Sequence, residues 1–380
     1  KKLFYENNFD INGDLFIEMK KIPFLTKKII KSNLPNDIID QTRNIYMTEY
    51  TSGSSGEQGV FYHDHSAFSK YNSARILQWD WAGFKYGYKT IQTGMTLKRG
   101  LIKSIKDLLF RVDYKNAFVI DSKTVQNNLE PYRNKNNIYF IGYASSLYEY
   151  ARLANELNID DINFNAVISL GDKMFPHYRS TIEKQFSTKV YDTYGSAEGL
   201  VMASECEYNN YHIISPHVHI EILDKNGEEV KNGEIGEIVV TCLDNFLMPL
   251  IRYRIGDLAM KKGEKIDCPC GRNFPQIESI VGRNTDIIYT PKGKALIVHF
   301  FTAIFEFYPE IFQFQVFQNS NGGEIEIRYI KGKNFSNNII SNIRKKIYKE
   351  SNEKLSIKFT SVDKIHPSPS GKPQIVLRNY

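Results

Sequence analysis

An alternation of buried strands with helices in the middle of the chain constrains its fold more than any other sequence feature. Three apolar, β-rich runs predict strands: Ile138–Tyr143, Phe164–Leu170 and Lys189–Tyr194. The first intervening segment, Ser146–Leu157, has apolar residues at helical spacing, and the second begins a helix at Pro176 that runs to about Phe186. Such alternation predicts a parallel α/β sheet, which binds its ligands at the carboxyl ends of the strands.

The pattern changes in the last third of the chain. Between Ser215 and Leu243, two strands flank the turn 224–227. Beyond Gly282 a separate block has two predicted strands, a helix and a third strand: Phe312–Phe317, Glu324–Ile330, Asn337–Lys349 and Leu355–Val362. Because 380 residues are too many for one small core, we predict two domains. An α/β body with a β-subdomain covers residues 1–284, and a compact α+β domain covers residues 285–380.

Charge and hydropathy argue against two classes of partner. The formal net charge of +6 is modest and spread along the chain, so it predicts no nucleic-acid interface. No apolar run approaches the roughly 18 residues that span a bilayer, and no secretory signal heads the sequence. We therefore expect a cytoplasmic protein that does not span a membrane.

A loop rich in glycine and serine follows Tyr50 and reads Thr-Ser-Gly-Ser-Ser-Gly-Glu-Gln-Gly. Glycines let backbone N–H groups approach one another as an anion-binding nest, and hydroxyl groups add further donors. The loop is not a Walker P-loop, which needs a Gly-Lys-[Ser/Thr] ending. Since a flexible turn has the same composition, the loop alone leaves phosphate binding and a plain turn both open.

Four further motifs follow the loop in the chain: Tyr194–Glu198, Tyr253–Asp257, Gly282–Asp286 and Ser370–Lys372. Taken singly, each is more typical of a turn or strand end with a surface charge. Together and in this order, the five motifs resemble the adenylate-forming superfamily. Further segments resemble its phenylacetate–coenzyme A ligase branch, most of all the CapK-type members associated with capsule and surface-polysaccharide loci: Ile22–Lys27, Trp81–Gly87, Gly142–Ser145, Met248–Arg254 and Cys268–Arg272. The loop departs from the family, because Glu57-Gln58 stands where Lys-Pro is common.

The resemblance implies an adenylate-forming ligase fold, with residues 285–380 as a small mobile lid. It also implies that a carboxylate attacks the α-phosphate of ATP and that pyrophosphate leaves. Five loop residues would hold the phosphates: Ser52, Gly53, Ser54, Ser55 and Gly56. A second set would bind the rest of the nucleotide: Gly171, Asp172, Tyr194, Gly195, Ser196, Asp257 and Arg283. Glu198 would hold Mg²⁺, and Lys372 would bring a cation to the negative charge of the transition state.

Cysteine residues indicate a second site. Cys242 lies within a predicted apolar strand and is expected in the core. The other three cysteines and one histidine make a Cys₃His set: Cys206, His212, Cys268 and Cys270. This set has the ligand type and number of a structural Zn²⁺, which the resemblance also supports, so we predict zinc there. Free thiols in turns are the alternative, and a disulfide is not expected in a cytosolic chain. His217 and His219 alternate with apolar residues and are expected at the surface or the edge of the pocket.

Two functions remain open from the sequence. The first is a ligase that makes an acyl-adenylate from a carboxylic acid and ATP, then passes the acyl group to an acceptor. That acceptor is coenzyme A, a carrier-protein thiol, or a sugar amine or hydroxyl, and the pathway would modify a surface polysaccharide. The alternative is a non-catalytic nucleotide-binding or scaffold protein of the same fold in a polysaccharide-assembly complex.

Overall fold

The fold is that of a computed structural model. It describes residues 6–34, 37–50, 59–94, 101–117, 120–263, 267–283, 287–292, 295–305, 307–308, 310–365 and 375–378. The predicted phosphate loop Ser52–Gly56 and the predicted catalytic Lys372 lie outside these residues. For Arg283 only the backbone is described.

The strands of the described chain begin with a hairpin of β1 (Met47–Tyr50) and β2 (Val60–His63). Nine strands follow in the first two-thirds: β3 (Lys89–Gly94), β4 (Val112–Asn116), β5 (Ile138–Tyr143), β6 (Ala166–Leu170), β7 (Val190–Ser196), β8 (Leu200–Glu205), β9 (Tyr211–Ile213), β10 (Val218–Leu223) and β11 (Ile235–Cys242). Eight more complete the chain: β12 (Tyr253–Lys261), β13 (Gln276–Arg283), β14 (Ile287–Tyr289), β15 (Ala295–Ile297), β16 (Ile311–Gln318), β17 (Ile325–Lys331), β18 (Ile357–Ser361) and β19 (Val376–Arg378).

One large mixed sheet has the strand order β10-β11-β12-β13-β9-β8-β7-β6-β5-β3-β4. Strands β4, β3, β5, β6 and β7 are parallel to their neighbours, as the sequence predicts. From β7 onward every pairing is antiparallel, so β7 is the strand at which a parallel α/β sheet becomes a β-subdomain. Ligands of α/β sheets bind where the topology changes, which directs attention to the carboxyl end of β7.

The described helices are these: α1 (Leu15–Lys20), α2 (Lys27–Asn33), α3 (His65–Asp80), α4 (Leu101–Leu109), α5 (Ser122–Leu129), α6 (Ala144–Glu156), α7 (Pro176–Phe186), α8 (Val298–Phe305) and α9 (Asn337–Ser351), with a 3₁₀ turn over Glu130–Tyr132. Helices α5, α6 and α7 bury one face against the parallel strands; Phe140 of β5 and Tyr150 of α6 are both fully buried, with ring centroids 5.3 Å apart. Each such side chain contributes roughly 1.5–3 kcal/mol by leaving water. None of the described helices is long and apolar enough to cross a bilayer.

Local chemistry sets the limits of α7. Pro176 occupies its first turn, where a missing N–H costs no hydrogen bond. The helix stops at Ser187, whose φ of 46° is left-handed and whose N–H reaches back to the carbonyl of Glu183. The chain then enters β7, which carries the first of the predicted nucleotide motifs.

The last third has its own core. Strands β18, β17, β16 and β19 form a four-stranded sheet in that order, and α8 and α9 cover apolar residues of it. Val316 of β16 and Ile343 of α9 are fully buried there. The predicted α+β character of this block matches the described elements, while the domain boundary at residues 284 and 285 stays a prediction.

Candidate functional site

The turn of the hairpin between β7 and β8 carries Glu198. The Glu198 side chain is buried, although carboxylates prefer water. The hydroxyl of Tyr253 donates to its Oε1 at 3.1 Å, and Nζ of Lys27 lies 3.3 Å from the same atom. Burial, together with the negative charge of Glu198, raises the pKa of Tyr253, so this phenol stays protonated and acts as a donor. Removing a carboxylate from water is costly, and the hydrogen-bond donor and the cation beside Glu198 offset that cost.

Lys27 reaches Glu198 because its segment is tied to β12. Leu25 pairs with Tyr253 as a parallel bridge, with hydrogen bonds to both neighbours of that residue. The ring of Phe24 lies between the guanidinium groups of Arg252 and Arg254, at 4.3 and 4.1 Å from its centroid. Lys27 is part of the sequence motif Ile22–Lys27, but the sequence predicted no role for it. The contact joins residues 171 positions apart, and no local pattern in the sequence indicates it.

Tyr194 and Asp257 meet across the sheet. The hydroxyl of Tyr194, on β7, donates to Oδ2 of Asp257, on β12, at 2.7 Å. Asp257 also pairs with Arg283 in the register of β12 and β13. Thus three residues predicted to bind the nucleotide lie together at one end of the sheet. Ser196, on β7, has a buried hydroxyl oxygen without a hydrogen-bond partner among the described residues, which leaves it available to a ligand.

Gly171 and Asp172 lie at the carboxyl end of the neighbouring strand β6. Gly171 has a φ of 77°, and a Cβ there would come within 2.5 Å of the ring of Tyr143, so glycine is required. Asp172 accepts hydrogen bonds from the backbone N–H groups of Ala144 and Ser145 at the start of α6. Lys173 donates to two backbone carbonyls of β13, both at 2.7 Å, and thereby joins this loop to the strand that ends at Arg283.

Gly195 precedes Ser196 in β7 and is exposed, unlike Glu198. A Cβ at Gly195 would come within 2.9 Å of the carbonyl oxygen of Leu200 on the facing strand. The tight hairpin therefore needs a glycine here. Of the predicted nucleotide and Mg²⁺ residues that the structure describes, all lie at the carboxyl ends of β6 and β7 or on the facing strands β12 and β13.

The predicted cysteine and histidine ligands also come together. Cys206 follows β8, His212 lies on β9, and Cys268 and Cys270 lie in the loop before β13. Their ligand atoms all lie within 4.8 Å of one another. Sγ of Cys206 is 3.6 Å from Sγ of Cys268, and Sγ of Cys270 is 3.4 Å from Nε2 of His212. Zn–S and Zn–N bonds of about 2.3 and 2.0 Å in a tetrahedron imply separations of roughly 3.8 and 3.5 Å.

The tautomer of His212 suits a metal ligand, whereas the pKa values of two of the thiols are shifted in opposite directions. Nδ1 of His212 lies 3.3 Å from the carbonyl oxygen of Phe274, to which it donates, so the lone pair is on Nε2 and faces Cys270. Burial raises the pKa of Cys206 to about 11. Burial acts in the same direction on Cys268, but hydrogen bonds from Cys270 and Cys206 outweigh it and lower the pKa of that thiol. Cys242 lies apart on β11, buried in the core as predicted.

His217 corrects one of the two positions expected for it, the surface, and leaves the edge of the pocket open. It is 2% exposed and therefore lies in the interior rather than at the surface. Its Nδ1 lies 2.8 Å from Oδ2 of Asp244, and its Nε2 lies 3.3 Å from the carbonyl oxygen of Gly199, beside Glu198. The alternation of His217 and His219 with apolar residues predicted a strand with one face open to solvent. The sequence pattern could not show that the loop at Asp244 covers His217 on that face.

Comparison with known proteins shows which families the chain resembles. Residues 288–379 match the family described as CapK C-terminal domain. The chain is 26% identical to protein CapK of Staphylococcus aureus over 98% of its own length and 83% of that protein. It is 33% identical to a phenylacetate–coenzyme A ligase of Thermus thermophilus over 115 residues, which are 29% of this chain and 25% of that protein.

Solved structures show the same fold. A 2-hydroxyisobutyryl-CoA ligase with bound 2-HIB-AMP superimposes with a TM-score of 0.77 at 16% identity, over 99% of this chain and 84% of that one. The amide bond synthetase McbA of Marinactinospora thermotolerans gives a TM-score of 0.62 at 15% identity, over 91% and 71% of the two chains. The predicted fold class and the predicted resemblance are confirmed. In sequence the chain is similar to CapK and to phenylacetate–coenzyme A ligases, and in fold it is similar to adenylate-forming ligases.

Proposed function

We propose that the protein activates a carboxylic acid as its acyl-adenylate, with release of pyrophosphate, and then transfers the acyl group to a thiol, amine or hydroxyl acceptor. The observation that carries this proposal is the buried Glu198 carboxylate beside Tyr253 and Lys27, next to the paired Tyr194 and Asp257. Relatives whose names specify coenzyme A ligation or amide synthesis support acyl transfer as the second step. A role in surface-polysaccharide modification is proposed from the resemblance to CapK-type members alone.

The described residues fit ATP and Mg²⁺. Glu198 offers carboxylate oxygen, which Mg²⁺ prefers, at a place that already holds the ammonium group of Lys27. Bound Mg²⁺ neutralises charge on the phosphates. Asp257 would accept hydrogen bonds from the ribose hydroxyls, and Tyr194 would lie against the adenine ring. The free hydroxyl of Ser196 is a donor for the same ligand.

The rest of the nucleotide site is proposed from the resemblance. Gly171 and Asp172 would line the adenine pocket, and Arg283 would contribute at the end of β13. Residues 52–56 would hold the β- and γ-phosphates. Residues 285–380 would act as a lid that brings Lys372 to the reacting phosphate. Such lids close over a substrate and exclude water during the chemical step.

ATP–pyrophosphate exchange across a panel of carboxylic acids tests the proposed activity. We expect exchange with at least one acid, dependent on Mg²⁺. Glu198→Gln should lower the exchange rate about 10²–10³-fold, the usual effect of removing one preorganised charge at a reacting phosphate. Glu228→Gln, in an exposed turn, is the matched control and should leave the rate unchanged. Equal rates for the two variants would reject Glu198 as the Mg²⁺ ligand.

We also propose that Cys206, His212, Cys268 and Cys270 bind a structural zinc ion. The separations within the cluster support a tetrahedral site, and a closed set of four ligands leaves no open position for substrate. The ion would join the end of β8 to the loop that precedes β13. Elemental analysis of protein purified without chelator should find one zinc per chain, and a value near zero would reject the site.

A further inference from the structure

Two buried histidines contact the glycine that follows Glu198. His63 ends β2, and His217 immediately precedes β10, so the two side chains arrive from separate elements. They are 4% and 2% exposed. Nε2 of His217 lies 3.3 Å from the carbonyl oxygen of Gly199. A Cβ added to Gly199 would come within 2.6 Å of Nε2 of His63, so the imidazole lies against the face of this residue.

The hydrogen bonds of Asn245 determine the tautomer of His63. Oδ1 of Asn245 accepts from the N–H of Met248 at 3.2 Å, and Nδ2 donates to the carbonyl of Tyr62 at 2.8 Å, which fixes the orientation of the amide. The same Nδ2 lies 3.3 Å from Nδ1 of His63. Nδ1 must therefore accept, and the neutral imidazole carries its hydrogen on Nε2, the ring nitrogen nearer to Gly199.

The second ring is anchored by a carboxylate. Nδ1 of His217 lies 2.8 Å from Oδ2 of Asp244, whose other oxygen lies 3.3 Å from Nζ of Lys70. The two nitrogens of His217 thus face two oxygen atoms, one of the Asp244 carboxylate and one of the Gly199 carbonyl. Burial lowers the pKa of His63, and the neighbouring His217 acts in the same direction, which keeps His63 neutral. One ring of the pair is thus a fixed donor to the Gly199 carbonyl, while the other packs against the Gly199 backbone.

The turn that carries Glu198 is therefore held on three sides. The N–H of Gly199 donates to the carbonyl of Ser196 at 3.2 Å. Its carbonyl faces His217, and its open face contacts His63. Because the φ of Gly199 is 80°, a side chain would be strained here even without the imidazole. All of these contacts hold the backbone of Gly199, the residue next to Glu198.

We propose that His63 and His217 are positioning residues that fix the Gly199 peptide and so aim the Glu198 carboxylate at the divalent cation that accompanies the nucleotide. The inference rests on the proposed function, in which Glu198 binds that cation. Groups that orient a metal ligand from behind typically change metal affinity by roughly 10–100-fold when they are removed. The two histidines differ from a general structural support in one respect: their loss should weaken cation binding without unfolding the protein.

A matched pair of variants separates these roles. In His217→Gln the amide nitrogen can occupy the place of Nε2 and still donate to Gly199. In His217→Asn the shorter amide reaches Asp244 but leaves the Gly199 carbonyl without its donor. His219→Asn, two residues further along the chain on β10, is the control because its ring contacts Phe16 on α1 instead.

The measurements are Mn²⁺ binding in the presence of ATP, by electron paramagnetic resonance, together with the Mg²⁺ dependence of ATP–pyrophosphate exchange and the Tm without metal. We expect His217→Asn to weaken Mn²⁺ binding and raise the half-saturating Mg²⁺ concentration about tenfold. His217→Gln should stay within about threefold of wild type, and the Tm should not change for either. Gly199→Ala should weaken Mn²⁺ binding at least as much as His217→Asn.

Three outcomes would overturn the proposal. Wild-type Mn²⁺ affinity in His217→Asn would remove the positioning role while leaving the proposed function intact. Parallel losses of Tm and metal affinity in both His217 variants would show a structural role instead. Wild-type protein that binds ATP but no Mn²⁺ would reject the assignment of Glu198, and the positioning role with it.

Discussion

The two ends of strand β8 contrast in what they hold. At its start, the Glu198 turn presents a buried carboxylate to one lysine and one tyrosine, close to a serine hydroxyl that has no hydrogen-bond partner among the described residues. At its end, Arg179 donates to both carboxylate oxygens of Glu205 at 2.8 and 2.6 Å, and Cys206 belongs to the proposed zinc cluster. The first end has bonding capacity left for the nucleotide and its cation, whereas the groups of the second end are engaged in structural contacts. Changes at the first should therefore alter chemistry, and changes at the second should alter stability.

Removal of the proposed zinc is expected to give the largest effect, at the second end. Binding of structural zinc is folding free energy, on the order of 10 kcal/mol in small domains. Cys268→Ser should lose the metal and lower the Tm strongly, and chelator should do the same to the wild type. Zinc content and Tm are the measurements. Cys242→Ala, outside the cluster, should keep one zinc per chain. Zinc retained in Cys268→Ser would contradict the ligand assignment.

Arg179 supplies the next test of the second end. It is the cation for Glu205, and Asp192 is buried alongside with a hydrogen bond from Tyr211. Burial raises the pKa of Glu205 to about 7, although Arg179 opposes this shift. Arg179→Met should cost roughly 3–5 kcal/mol of unfolding free energy, because it leaves buried carboxylates without their cation. Arg152→Met, on the exposed face of α6, should cost about 1 kcal/mol or less.

A double variant sharpens the argument about Arg179. If the cost comes from an unpaired charge, adding Glu205→Gln to Arg179→Met should restore part of the lost stability, since it removes that charge. Denaturant unfolding of the two single variants and the double variant measures the coupling. Strictly additive losses would mean that Arg179 stabilises this end by packing alone.

The sequence predicted some parts of this contrast and not others, for identifiable physical reasons. Strand β5 has the predicted limits because all but its last residue are buried and its apolar run is continuous. The Cys₃His set was predictable because its ligand types are rare and its members few. Lys27 and His217 were missed as functional contacts because both depend on segments distant in the chain. The segment of Lys27 is held by Tyr253 of β12, and His217 is held by Asp244, which follows β11. Hydrophobic periodicity reports which face of a strand is covered, but not by which loop.

Glu198→Gln should distinguish the two ends of β8 with one variant, because it should change activity and leave stability unchanged. We expect the ATP–pyrophosphate exchange rate to fall about 10²–10³-fold, while the Tm stays within about 2 °C of wild type, because the amide keeps the volume of the side chain and can still accept from Tyr253. Differential scanning fluorimetry and the exchange assay give both values. A large fall in Tm would make Glu198 part of the structural framework, and the contrast between the ends would disappear.

Lys27 should show the smallest effect, because its charge assists Glu198 from 3.3 Å at a site that is a quarter exposed. An ion pair that water can reach contributes little to the free energy of binding. When Mg²⁺ takes the place of Lys27 at the Glu198 carboxylate, the net loss on removing Lys27 becomes smaller still. Lys27→Met should therefore lower kcat/KM for ATP by roughly tenfold, equivalent to about 1.4 kcal/mol. Lys28→Met is the control, on the exposed side of the same helix.

If Lys27 also competes with Mg²⁺ for the carboxylate, Lys27→Met should bind Mn²⁺ more tightly without nucleotide than the wild type does. Weaker Mn²⁺ binding would instead indicate that the ammonium group orients Glu198, and a kcat/KM equal to that of Lys28→Met would exclude Lys27 from the site.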